Sequence, residues 1–322
     1  MKEVQLWSFV QEKLSTGEKL ILILVADSNL SSPGKAGFKL AVTENGELFG
    51  TIGGGIMEYN MIRECEEMFR NGISDIQRKK LYHAKTTEGI PSGLQCGGNQ
   101  TLLFIPLSAD KISLAKSILA SANGMVTGIL KVTESDITYN LAELFCSHPE
   151  YIETGEQSFI YREANGVPDI VWVIGGGHVG LAVSRQMSFL GFYVVTIDPR
   201  KSVFTMQQNT YAQKKLNIPY EKIGEYIPGY CRSYAVIVTA DRDTDAIALK
   251  AIIQKNFRYI GMMGSKKKID SIFKQLSEAG ISEDLFKKVH APIGMAIAAE
   301  TPEEIAVSIA AEIISVRNQR EA

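Results

Sequence analysis

The sequence predicts an α/β protein of two halves, the second built on a doubly wound parallel sheet, and three observations predict it. First, Ile170–Ile174 (IVWVI) is apolar and mostly β-branched, as a strand buried on both faces requires, and it runs straight into Gly175, Gly177 and Gly180 of a G-x-G-x-x-G turn. Second, a helical pattern follows with Val179, Val183, Met187 and Leu190 on one side. It stops at Gly191, and a second strand, Tyr193–Ile197, ends at Asp198. Third, strands and helices go on alternating to the C-terminus. Strand, glycine turn, helix, strand and acid in this register read as a Rossmann-like unit behind an N-terminal mixed α/β domain.

The glycines have separate tasks in such a turn. The first permits the tight bend, the second lets backbone approach a pyrophosphate, and the third lets helix pack on strand, while the helix N-terminus supplies partial positive charge. Asp198 stands about 20 residues further on, where the fingerprint expects a carboxylate on a ribose hydroxyl.

Length and composition bound the rest. At 322 residues the chain is long enough for two domains of roughly 100–200 residues each. It is 45% apolar and 22% charged, and a formal net charge of −2 leaves no electrostatic footprint for nucleic acid or an anionic membrane. The opening stretch, MKEVQLWSFVQEKL, is amphipathic and carries Glu3 and Glu12, unlike a signal peptide. Leu20–Ala26 is too short to span a bilayer, so a cytoplasmic protein is expected. Cys65, Cys96, Cys146 and Cys231 form no C-x-x-C and have no neighbouring histidines, which argues against a zinc site and a disulfide scaffold.

In chain order, Val4–Leu14 reads as a helix closed by Gly17, and Leu20–Ala26 as a buried strand. A loop holding Ser31, Ser32, Pro33, Gly34 and Gly37 precedes a hairpin, Phe38–Thr43 and Leu48–Ile52, joined through Asn45-Gly46. Gly53, Gly54 and Gly55 then enter a helix from Met57 to Phe69, a second place where backbone amides could meet an anion. Glu58, in the first turn, is also explained by the helix dipole alone. Gly89–Gly98 is a glycine-rich loop before a strand Gln100–Pro106, and Cys96, flanked by glycine, is the cysteine expected to be accessible. A helix Lys111–Ala122 and strands Met125–Thr133 and Ser158–Glu163 lead to Asn165-Gly166-Val167-Pro168, which divides the chain into domains 1–165 and 166–322.

Beyond Asp198, Ser233–Thr239 is a strand, and a helix to about Gln254 opens on Asp241, Asp243 and Asp245. The alternating acids do not make a calcium loop, because Ala246 stands where glycine is needed and Ile252 where glutamate is needed; they cap a helix. Phe257–Met263 is a strand followed by Gly264, Ser265 and Lys266–Lys268 at the start of a helix to Ala279. The three cations oppose the dipole there, so they are either a solvated face or a lid over an anion. Thr301-Pro302-Glu303-Glu304 is a capping box for a final helix to about Arg317. His178, inside the fingerprint, and His290, before Ala291-Pro292-Ile293-Gly294, are candidates to line a ligand at the carboxyl edge of the sheet.

Taken together, GTIGGGIMEYN, LQCGG before a strand, VIGGGHVG…TIDPR, IGMMGSKKK, HAPIGM and TPEEIAVSIAAEI resemble the XdhC/CoxI family of xanthine dehydrogenase accessory proteins, in order and from about residue 10 to 318. The resemblance implies an N-terminal XdhC/CoxI domain joined to a C-terminal Rossmann-like domain. It implies a non-catalytic chaperone that binds molybdenum cofactor (molybdopterin), protects it while a cysteine desulfurase supplies the terminal sulfur, and hands it to a xanthine dehydrogenase-type molybdoenzyme. It also implies cofactor contacts at Gly53, Gly54, Gly55, Glu58, Cys96, Gly97 and Gly98, and at Gly175, Gly177, His178, Gly180, Asp198, Arg200, Gly264, Ser265, Lys266 and His290. A homodimer is compatible with it. Two positions depart from the family pattern: Ile56 replaces a cysteine of many relatives, and Ala240 replaces a histidine. The fingerprint alone also leaves an NAD(P)-dependent oxidoreductase or a nucleotide-sensing module as the alternative, although no acid–base set committed to hydride transfer stands out.

Overall fold

The structure, a computed structural model, describes residues 2–29, 31–82, 90–91, 98–124, 126–142, 148–227 and 232–318. The chain divides into two compact units, Lys2–Val167 and Pro168–Ala322.

In the N-terminal unit α1 (Lys2–Ser15) leads into β1 (Leu20–Ser28). Successive strand side chains point to opposite faces, so the nearly all-apolar β1 serves two cores. Leu20, Leu22 and Leu24 join Trp7, Val10 and Leu14 of α1, while Ile21, Ile23 and Val25 face the other way. The Asn45-Gly46 hairpin joins β2 (Lys39–Thr43) to β3 (Leu48–Gly50). α2 (Gly55–Arg70) lays Met57, Met61, Cys65 and Met68, at helical spacing, on the Ile21 face. β4 (Gln77–Tyr82), β5 (Ile90–Pro91) and β6 (Asn99–Leu107) complete a six-stranded sheet ordered β3-β2-β1-β6-β4-β5, antiparallel except at β4–β5. α3 (Ile112–Gly124) and a four-stranded antiparallel sheet cover the Leu20 face. That sheet comprises β7 (Gly128–Thr133), β8 (Ile137–Leu141), β9 (Glu150–Glu153) and β10 (Phe159–Asn165), in the order β8-β7-β10-β9.

A buried charge ties these layers together. The Lys39 ammonium, on β2, meets Glu163 of β10 at 2.6 Å, Glu3 of α1 at 2.9 Å and the Gly37 carbonyl at 3.1 Å. All three of its protons have acceptors. Burial alone would lower the Lys39 pKa; the two carboxylates outweigh it and hold it above the usual amine range. β4, β8 and β9 escape a reading by hydrophobic pattern. QRKKLY buries only Leu81 fully, and β8 and β9 are edge strands that leave Leu141 and Ile152 exposed.

In the C-terminal unit β11 (Ile170–Ile174), α4 (His178–Phe189), β12 (Tyr193–Ile197), α5 (Phe204–Gln208), β13 (Lys214–Leu216) and α6 (Ile223–Tyr226) come first. β14 (Ser233–Ile237), α7 (Arg242–Ile252), β15 (Tyr259–Met262), α8 (Lys266–Glu278), α9 (Glu283–Phe286), β16 (Val289–His290) and α10 (Pro302–Asn318) follow. The strands form one parallel sheet, β13-β12-β11-β14-β15-β16, in a Rossmann-like doubly wound arrangement. α4 and α10 pack on the face of Val171, Val173, Val194 and Val236. α7 buries Ala246, Leu249 and Ile252, and α8 buries Ile269, Ile272 and Leu276. The capping box of α10 forms: Glu304 accepts from the Thr301 amide and Thr301 Oγ1 accepts from the Glu304 amide. β13 and β16 are too short to leave a sequence pattern. Among the described residues no helix is long and apolar enough to cross a membrane.

Candidate functional site

Because all six strands run in parallel, the loops after β11, β12, β14, β15 and β16 open on one edge of the C-terminal sheet. β11 sends the chain to β12 and β13 on one side, and it returns to β14 on the other. The crevice between β11 and β14 is therefore the topological switch point, where open α/β sheets take ligands.

The fingerprint glycines divide as their tasks require. Gly175 has φ of +120°, and a Cβ there would overlap the Val238 carbonyl across the crevice. A Cβ on Gly180 would overlap the Gly175 carbonyl oxygen, so this glycine seats α4 against β11. Gly177 differs: nothing lies within 4 Å of the position a Cβ would take. It is the N-cap of α4 and no side chain caps that helix. No neighbour in the fold requires glycine at 177, and the space beside it at the start of α4 is open. His178, next along, is exposed. Gly176, which the fingerprint leaves unspecified, is wedged against Met206 and Asp198.

Asp198 is fully buried and its carboxylate is fully used. Oδ1 accepts from the Arg200 amide (3.0 Å) and Arg200 Nε (2.9 Å); Oδ2 accepts from the Gly176 amide (2.9 Å) and Arg200 Nη2 (2.7 Å). Burial alone would raise its pKa, but the hydrogen bonds from Arg200 and the Gly176 amide win and hold it below the usual carboxylate range. The acid that the fingerprint assigns to a ribose hydroxyl instead fastens the glycine loop to the next strand, and the group facing outward is the half-exposed Arg200 guanidinium.

Further along the edge, Asp241 caps α7 by accepting from the Asp243 and Thr244 amides, as the acidic run predicts. Asp245 is buried, bonded to Thr239 and paired with Lys268 at 2.5 Å. Burial pushes its pKa up despite the partners. The three lysines are thus not equivalent: Lys268 is tied into the fold, while Lys266 and Lys267 are exposed. Ser265 caps α8 through the Lys268 amide, which is the role its oxygen already fills beside Gly264. At the far end, His290 Nδ1 meets Glu312 of α10 at 3.1 Å, and its ring lies against Tyr259. Glu312 also accepts from Tyr259 and the Gly294 amide. Burial would raise its pKa, but these bonds bring it down.

The glycine run of the N-terminal unit is built differently. Glu58 Oε2 accepts from Thr51 Oγ1 (2.6 Å), the Ile52 amide (2.8 Å) and the Gly54 amide (3.2 Å), and the Gly53 amide bonds Thr51 Oγ1. The cradle expected for an external anion already contains the protein's own carboxylate. Gly55 keeps open space before it. This run is joined to two other segments. A Cβ on Gly53 would come within 2.6 Å of the Gly34 amide, and one on Gly98 within 2.5 Å of Asn29 Oδ1. Buried Gln100 donates to the carbonyls of both Gly34 (2.8 Å) and Ile52 (3.3 Å). Asn29, Ser32 and Gln100 carry no motif, so sequence reasoning missed them as the frame of Gly53 and Gly98. Cys96 and Gly97 lie outside the described residues. Cys65, on the sheet-facing side of α2, is buried, with its thiol pushed up to about 12 by burial. Among the described residues no three or more His, Cys, Asp or Glu side chains converge as a metal site.

These features define a class: an antiparallel α/β unit followed by a Rossmann-like unit with a glycine-lined carboxyl edge. Residues 171–313 match the XdhC Rossmann domain, and residues 14–78 match the XdhC and CoxI family. The chain belongs to the XdhC and CoxI family. It is 23% identical to a probable xanthine dehydrogenase subunit of Bacillus subtilis, over 95% of this chain and 96% of that one. It is 21% identical to the molybdenum cofactor insertion chaperone PaoD of Escherichia coli, over 97% and 88%. With YqeB of Escherichia coli identity is 24% over 91% of this chain, which spans only 43% of YqeB. A crystal structure described as a xanthine dehydrogenase from Bacillus halodurans has the same fold, with a TM-score of 0.76 at 20% identity, over 100% of this chain and 97% of that one.

Proposed function

We propose that this protein is a non-catalytic accessory chaperone for a xanthine dehydrogenase-type molybdenum hydroxylase. It holds molybdenum cofactor, supports sulfuration by a cysteine desulfurase, and releases the cofactor into the apoenzyme. The observation that carries the reading is the open face at Gly177, a seat for a phosphate at the switch point. It stands in a chain alike over 97% of its length to a protein named for inserting this cofactor. The residues present fit the group: molybdopterin carries a phosphate, and the first turn of α4 meets no side-chain cap and no packing neighbour at Gly177. Gly264, Ser265, Lys266 and His290 border the same edge.

The test is to purify the full chain from a host that makes molybdopterin, measure bound pterin by its oxidised fluorescent derivative, and assay activation of a cofactor-free hydroxylase. Near-stoichiometric pterin and activation are expected. Gly177→Val, with folding unchanged, should weaken retention at least tenfold, about 1.4 kcal/mol. A wild-type protein that carries no pterin and activates no hydroxylase would remove the reading. A second reading, an NAD(P)-dependent oxidoreductase, is favoured by the strand order, which is that of dinucleotide-binding sheets. NAD(P)H turnover by the cofactor-free protein would establish it.

A further inference from the structure

The ligand of a Rossmann crevice is read at two places: by the glycine turn and, at the end of the second strand, by the group that meets the ribose. A free ribose diol calls for a carboxylate with open lone pairs, whereas a phosphate on that ribose calls for an arginine. In this chain the second place is held by Asp198 and Arg200. An ionised carboxylate has about four acceptor sites, and those of Asp198 are taken by the Gly176 amide, the Arg200 amide, Nε and Nη2. No site remains for a hydroxyl, and the carboxylate is fully buried beneath the arginine.

Arg200 presents the opposite chemistry. Asp198 takes Nε and one proton of Nη2, which fixes the plane of the guanidinium and leaves Nη1 and the second Nη2 proton without a partner among the described residues. The side chain is 50% exposed. Oδ2 bonds both the Gly176 amide and Nη2, so the guanidinium and the glycine turn stand across a single oxygen atom from each other. A planar donor fork held in place matches phosphate geometry, and holding it reduces the rotamer freedom lost on binding. Exposed Lys201 adds a second cation beside it, while Asp241 also acts on Arg200 from across the crevice.

We infer that Arg200, pinned by Asp198, is the specificity-determining residue of the C-terminal crevice and selects a ligand bearing a phosphate monoester over one presenting a free ribose diol. Two ligand classes supply that chemistry: the monoester of a pterin cofactor, and the 2′-phosphate of an NADP-type dinucleotide. The inference rests on the reading that a ligand occupies the Gly175–Gly180 turn, and it names what that ligand must carry.

Equilibrium binding to the full-length protein distinguishes the sources. One pair of probes is NADPH and NADH. The other is the fluorescent oxidised pterin derived from molybdopterin, before and after phosphatase treatment. In at least one pair the monoester member should bind tenfold or more tightly than its partner. Arg200→Ala should bring that ratio close to one while leaving the weaker member's affinity unchanged, and Arg200→Lys should keep part of it. If removing the guanidinium from Asp198 unfolds the alanine variant, Arg200→Gln, which still donates to the acid without charge, gives the same comparison. A ratio that survives Arg200→Ala, or an NADH affinity that rises in that variant, overturns the inference and leaves the turn as the site. Binding insensitive to both Arg200→Ala and Gly177→Val overturns the site reading as well.

Discussion

The two glycine runs of this chain look alike as sequence and are opposite as structures. In each, a carboxylate takes one glycine amide: Glu58 takes Gly54 and Asp198 takes Gly176. The difference is where the acid comes from. Glu58 lies in the first turn of the helix that the run enters, so it folds back into the cradle and gathers Thr51, Ile52 and Gly54. Asp198 lies at the end of the neighbouring strand, so it grips the turn from behind, fully buried, and leaves Gly177 clear. A glycine turn is open to a ligand when its internal acid approaches from the sheet, and self-filled when the acid sits on its own helix.

The largest effect that sharpens this contrast lies within the C-terminal turn. Gly180→Ala must push a methyl into the Gly175 carbonyl, and Gly175→Ala adds an unfavourable φ to a clash with Val238. Each should cost about 3 kcal/mol of stability. Gly177→Ala, in the same turn, should stay within about 0.5 kcal/mol of the parent. Urea denaturation of the three variants decides it, and equal losses at 177 and 180 would remove the open face. In the N-terminal run the sensitive residue is the acid. Glu58→Ala leaves the Ile52 and Gly54 amides without their acceptor and should cost about 2 kcal/mol, with little change in ligand affinity. If Glu58→Ala instead abolishes cofactor retention in a stably folded protein, the self-filled description fails.

How much of this was legible depends on how local the cause is. The parallel sheet was readable because strands buried on both faces, such as IVWVI and SYAVI, are continuous apolar runs between glycine and acidic turns. β4 was not, because QRKKLY has long polar side chains on a strand whose pairing with β6 sets its place. Asp198 was found by spacing, but its role was not: that depended on Arg200 reaching back two residues, a contact the sequence allows without requiring. Glu58 was read as a dipole partner, and its bonds to the loop before the helix needed the turn geometry. Gln100 left no signal, since a buried glutamine bridging two loops is defined by residues far away in the chain.

Titration separates the two buried acids of the crevice with a smaller effect and opposite signs. The Asp198 pKa is lowered in the fold, so its contribution is complete above the unfolded value, about 3.9, and is lost as pH falls through the folded value. The Asp245 pKa is raised, so its charged form is disfavoured and folding gains as pH falls through that raised value. Asp198→Asn should therefore flatten the stability profile below about pH 4, and Asp245→Asn should steepen its rise above about pH 4. Identical slopes in the two variants would contradict the assignment.

The smallest effect concerns the cations that open α8. A lysine in the first turn of a helix opposes the dipole by about 0.3–1 kcal/mol when exposed. Lys268 escapes this penalty, because its ammonium neutralises buried Asp245, and replacing it would leave that acid without its cation. Lys266 and Lys267 have no such partner among the described residues. Replacing these two alone by glutamine should raise the melting temperature slightly without ligand, while Lys268→Gln should lower it. If the pair also serves a phosphate at this edge, the double variant should weaken binding most at low salt, where exposed charges act furthest. Binding unchanged at low ionic strength, with the small gain in stability, assigns Lys266 and Lys267 to the solvated surface and leaves Arg200 as the cation that reads the ligand.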